Sequence, residues 1–120
     1  MPFQYLLTNL LVDIPGAQGA IFLDGEGESV AFVSRGATPF ELKLEGAYHG
    51  IFLRRAAELG GLLAAGKLRH LLITGSQMKV VSRALREGYY LVVVLDVGAP
   101  VSLAEAALDR AAVVLDREIP

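Results

Sequence analysis

The residues able to do chemistry are few and far apart. Ser76 follows an apolar run in "HLLITGSQM", and His49 and His70 are the candidate imidazole bases. Ser76, His70 and Asp96 have the residue types of a nucleophile, a base and an orienting acid. Yet "TGSQM" lacks the Gly-x-Ser-x-Gly elbow that would present the serine at the tip of a sharp turn. His49, beside Tyr48 at a helix start, and His70, at a strand entrance, both occupy ordinary structural settings. A metal site calls for thiolates or closely spaced imidazoles. The chain has no cysteine, and its two histidines do not form His-x-x-x-His. No catalytic residue, cofactor or metal ligand is therefore expected.

"AIFLDGEGESVAFVS" places two glycines and three acids within five positions after an apolar run. A dinucleotide loop must open a helix, so that amides and the helix dipole face the pyrophosphate. Here "SVAFVS" follows, which has strand character, and Glu26 and Glu28 would repel phosphate. A calcium loop needs oxygen ligands over a longer span ending in a bidentate acid. The plain reading is a hairpin, with glycine supplying the tight turn and the acids solvating it. Lys67, Arg69, Lys79, Arg83 and Arg86 raise the question of RNA, and the even spacing of Lys79 and Arg83 puts both on one sheet face. Without interleaved aromatics, a solvated face is expected instead.

These residues sit in a chain of 120, enough for one domain with a real core. Hydrophobic residues make up 53% and charged residues 20%, which argues against disorder. A net charge of -2 gives no general attraction for nucleic acid or anionic lipid. The N-terminal "MPFQYLLTNLLVDIPGAQG" has no basic start and carries Asp13, so it reads poorly as a signal peptide. No segment approaches an uncharged span of about 18 residues. A soluble cytoplasmic domain without membrane or nucleic-acid partners is the expectation.

Periodicity gives the elements. Phe3, Leu6, Leu7, Leu10, Leu11 and Ile14 have helical spacing, with Pro15-Gly16 as the stop. Residues 20–24 and 29–34 form the hairpin, and 35–46 carry mixed signals. Residues 47–65 read as a second helix. "LRHLLITG" and "MKVVSRAL" read as strands three and four, and "YYLVVVLDV" as a fifth strand buried on both faces. Ser102 and Glu105 have capping-box spacing and open a last helix to about Glu118. The order α-β-β-α-β-β-β-α implies an α/β (α+β) domain over residues 1–120. Its centre is a mostly antiparallel five-stranded sheet flanked by helices.

One surface stands out. Placed at 3.6 residues per turn, the charges of the second helix (Arg54, Arg55 and Glu58) fall in a narrow stripe. Tyr48, Phe52, Ala56, Leu59 and Leu63 line one apolar face; Leu53, Ala57 and Ala64 line another. Such a helix needs a second apolar contact, from residues 35–46 or from a second molecule. "HLLIT", if an edge strand, has little charge to prevent pairing with a copy of itself. A homodimer through Phe52, Leu59, Leu71 and Ile73 is the expectation.

The strand–acidic turn–strand of "GAIFLDGEGESVAFVS", the second helix, "LRHLLITGSQMKVVSRALREGYYLVVVLDVGAP" and the closing helix form an ordered set. With it, the chain resembles the Roadblock/dynein light chain family, and more closely its prokaryotic MglB-type members. The resemblance implies a Roadblock/profilin-like fold, and a dimer joined through the third strands with the second helices side by side. It implies a regulator or scaffold of a Ras-like small GTPase and, in MglB-type members, a GTPase-activating protein. Tyr48, Arg54, Arg55 and Glu58 are then the expected partner-binding residues. A structural adaptor and a small-molecule sensor are the competing functions.

Overall fold

The computed structural model describes residues 3–35, 50, 54–56, 58–59 and 66–120. Helix α1 spans Phe3–Asp13 and buries Leu7, Leu10 and Leu11, the stripe that the periodicity predicts. Strands β1 (Ala17–Leu23) and β2 (Ser29–Ser34) pair antiparallel as the expected hairpin. Its turn is held by Asp24, whose Oδ1 accepts the backbone N–H groups of Glu26 (2.9 Å) and Glu28 (3.0 Å). Gly27 takes a φ of 85°, which L residues resist. The turn acids therefore do more than solvate the loop: Asp24 organises it.

Strands β3 (His70–Thr74), β4 (Met78–Ala84) and β5 (Tyr90–Asp96) follow. The sheet order is β2-β1-β5-β4-β3, and every neighbouring pair is antiparallel. Strand β5 lies at the centre, with Tyr90 through Leu95 all buried, as its unbroken apolar run requires. The last helix, α2, spans Val101–Glu118 and buries Ala104, Ala107, Leu108, Ala111, Ala112 and Leu115. Gly50, Arg54, Arg55, Ala56, Glu58 and Leu59 are helical, all within the second helix read from the sequence.

Alternation along the strands divides the core in two. Ala20, Phe22, Val81, Leu91, Val93 and Leu95 face α1 and α2. Ile21, Leu23, Val80, Tyr90, Val92 and Val94 face the other way. Each fully buried leucine or valine contributes about 2 kcal/mol by leaving water, and among the described residues the face under the two helices holds more of them. Gly50 belongs to the second face: a Cβ there would collide with the Tyr90 hydroxyl oxygen. Only a residue without a side chain lets this helical backbone approach the ring so closely.

Two expectations fail. The capping box at Ser102 and Glu105 does not form: Pro100 holds the cap position and no side chain caps the helix. The Ala104 N–H already reaches the Pro100 carbonyl at 3.2 Å, so Ser102 lies inside the first turn. Proline, with its backbone angle fixed in advance, starts the helix ahead of the serine. Nor do Lys79 and Arg83 form a solvated face. They do share a face, but it is the one beneath α2, where Lys79 Nζ donates to the Ala99 carbonyl (3.2 Å) and Arg83 Nε to Asp109 (2.9 Å). Long basic side chains can cover apolar surface and still place their charge on a carbonyl or carboxylate.

Candidate functional site

Strand β3 is an edge strand, and no strand pairs with its outer side among the described residues. Its pairing with β4 (Leu71 opposite Ser82, Ile73 opposite Val80) sends Leu71 and Ile73 toward the second face. Leu71 packs half-buried against that cluster, whereas Ile73 is 39% exposed and its neighbour Leu72 is 41% exposed. The strand carries no lysine, proline or bulge, the usual devices against pairing, so among the described residues its outer amides and carbonyls are open to another strand. Beneath it, Ser82 Oγ is buried with no hydrogen-bond partner among the described residues.

The described part of the second helix presents its charges outward. Arg54, Arg55 and Glu58 are exposed, and Arg55 reaches Glu58 at 3.6 Å across one turn, a pair both of whose members face solvent. Such a pair adds well under 1 kcal/mol, leaving these side chains available to a partner. Leu59 is 58% exposed, a large apolar side chain left in water. Tyr48 and Phe52, expected at the partner surface and the dimer interface, lie outside the described residues, as does His49.

The supposed triad does not assemble. His70 opens β3 opposite Arg83, whereas Ser76 lies in the turn beyond the other end of the strand. Asp96 pairs with Met78 in the ladder and accepts from Gln18 Nε2 at 3.1 Å. Four residues of extended chain, about 13 Å, separate His70 from Thr74 alone. His70 instead sits between two carboxylates of α2: Nε2 is 2.8 Å from Asp109 Oδ1, and Nδ1 is 3.7 Å from Glu105 Oε2. Arg83 binds the same Asp109 oxygen at 2.9 Å. Local spacing carries no sign of this cluster, because its members come from β3, β4 and α2.

The cluster ties the edge strand to the closing helix. Desolvation pushes the Asp109 carboxyl up, but the hydrogen bonds and charges of Arg83 and His70 outweigh it and hold its pKa below the ordinary value. A depressed carboxylate stabilises the fold above its unfolded-state pKa, and that contribution is lost as pH falls through the folded-state value. Asp109→Asn should therefore cost about 1 kcal/mol near pH 7, a modest figure because Asp109 is half exposed. Urea unfolding at about pH 7 and about pH 3 checks this: the wild-type advantage should shrink at the lower pH. A difference that stays constant across that range would remove the charged contact as its cause.

A concavity of about 390 Å³ lies against the second face. Leu68, Ala84, Leu85, Tyr89 and Tyr90 wall it, and Arg54 and Lys67 reach it. Burial pushes the Tyr90 hydroxyl above its usual pKa; Arg54 opposes this and Asp24 adds to it. No group of three or more metal-ligating side chains occurs among the described residues, and no helix there is long and apolar enough to cross a membrane.

No family profile and no curated protein matches the chain. Solved structures do. A Roadblock/LC7 domain from Streptomyces avermitilis superposes with a TM-score of 0.86 at 14% identity, covering 95% of this chain and 94% of that one. The gliding protein MglB of Thermus thermophilus gives 0.83 at 22% identity, covering 95% and 85%. An MglB described as having a tetrameric arrangement gives 0.84 at 22% identity over the same shares. Each of these superpositions covers 95% of this chain, and so the chain has the Roadblock/LC7 fold, of the kind seen in MglB.

Proposed function

We propose that this protein is a dimeric, non-catalytic regulator or scaffold that binds a Ras-like small GTPase. The observation that carries the reading is an MglB-like fold with an unguarded apolar edge at β3 beside an exposed Arg54, Arg55 and Glu58 stripe. Pairing β3 with its copy would satisfy the open edge and bring the two second helices together, repeating the stripe about a two-fold axis. Arginine is enriched among binding anchors, and its planar donor fork suits carboxylates on a partner. The partner class comes from the likeness to MglB; the surface comes from this chain.

Calorimetry against a candidate GTPase loaded with a GTP analogue tests the assignment. Arg54→Glu combined with Arg55→Glu should weaken binding by about 2 kcal/mol, roughly thirtyfold, with the dimer intact. The GTP form should bind more tightly than the GDP form, because the γ-phosphate orders the switch segments. Unchanged affinity would move the site off this helix. Equal affinity for both nucleotide states would leave an adaptor, and the partner's hydrolysis rate in the complex separates a stimulator from a scaffold.

A further inference from the structure

We propose that the cavity walled by Leu68, Ala84, Leu85, Tyr89 and Tyr90 is a binding site for a small amphipathic anion, with an apolar body and a single acidic head. Its volume of about 390 Å³ lies at the lower end of the range for ligand pockets, about 300–1,000 Å³. The floor is carbon: Ala84 and Leu68 pack on the second core cluster, and Tyr90 is 2% exposed. Water inside such walls finds few partners, so an apolar group that displaces it gains free energy.

The mouth is cationic. Arg54 and Lys67 both line the cavity, and neither makes a hydrogen bond or ion pair among the described residues. No carboxylate shares the described lining, although Asp24, Glu26 and Glu87 adjoin its glycines in sequence. Of these, Asp24 is occupied by the turn amides of Glu26 and Glu28. Among the described residues, nothing lies within 4 Å of a Cβ built on Gly66, beside Lys67 at the rim. Apolar walls select the body of a ligand, and two cations at the rim select a negative head. The site shares Arg54 with the proposed GTPase surface but needs neither the edge of β3 nor a protein partner, and its test therefore varies Lys67 and Ala84 instead.

Titration with two fluorescent probes tests it: anionic 8-anilinonaphthalene-1-sulfonate and uncharged N-phenyl-1-naphthylamine, each with the full chain. The anion should bind saturably with one site per chain. Lys67→Glu, at an exposed position, should weaken the anion about tenfold and leave the neutral probe within about twofold. Ala84→Leu, which fills the floor, should weaken both probes, with circular dichroism confirming that the variant is folded. If Ala84→Leu does not fold, Lys67→Glu decides alone. Non-saturable binding, or equal response of the two probes to Lys67→Glu, would overturn the proposal. None of these outcomes bears on GTPase binding or on the mass of the dimer.

Discussion

At micromolar concentration, light scattering is expected to report twice the 12.8 kDa chain mass for the wild-type protein and a single chain mass for Ile73→Lys. Ile73 stands on the edge strand β3 and remains 39% exposed although its side chain is fully apolar. In a two-fold interface each substitution occurs twice. A lysine forced against apolar surface must lose hydration or drive the strands apart. At about 2 kcal/mol for each copy, the dimer loses about 4 kcal/mol, roughly a thousandfold in dissociation constant. The lysine points to solvent in the separated chain, so the variant should keep its circular dichroism spectrum. A wild-type protein that runs as a monomer, or an Ile73→Lys variant that stays dimeric, would remove β3 from the interface.

Phe22→Ala should lower stability more than any other substitution considered, by about 3–5 kcal/mol. Phe22 is 1% exposed near the end of β1, and its ring meets Phe3 of α1 at 5.2 Å and Tyr89 at 5.7 Å between centroids. Removing the ring leaves a cavity between the sheet and α1, and it strips one side of Tyr89, which also walls the ligand cavity. Urea denaturation at one fixed protein concentration is the measurement, because the proposed dimer would make apparent stability depend on concentration. Val113→Ala is the control: Val113 is 57% exposed on α2 and should change stability by less than about 0.5 kcal/mol. A loss below about 1.5 kcal/mol for Phe22→Ala would mean that the core closes over the missing ring.

Wherever one short segment decides the outcome, the sequence was enough. The α1 stripe, the Asp24–Glu28 hairpin and the buried β5 strand all follow from local period and composition, and each stands where its residues predicted. Their order was specific enough to bring out the resemblance to Roadblock proteins. The exposed charges at Arg54, Arg55 and Glu58 were legible too, since helical spacing alone fixes which residues share a stripe.

Tertiary structure decided what depends on which elements become neighbours. Strand order is one case: nothing in "HLLIT" says that it lies at an edge while "YYLVVVLDV" lies at the centre until the meander folds back beside β1. Lys79 and Arg83 could be placed on one face by their spacing, but only the packing of α2 over that face turned them toward Ala99 and Asp109. Ser102 and Glu105 had the spacing of a cap, yet the turn from β5 into Pro100 set the helix start, and Glu105 faces His70 instead. The cavity likewise gathers Arg54, Lys67, Ala84 and Tyr90 from four separate segments. A periodic pattern records which side of its own element a residue occupies; the identity of what meets that side comes from long-range packing, which no local window contains.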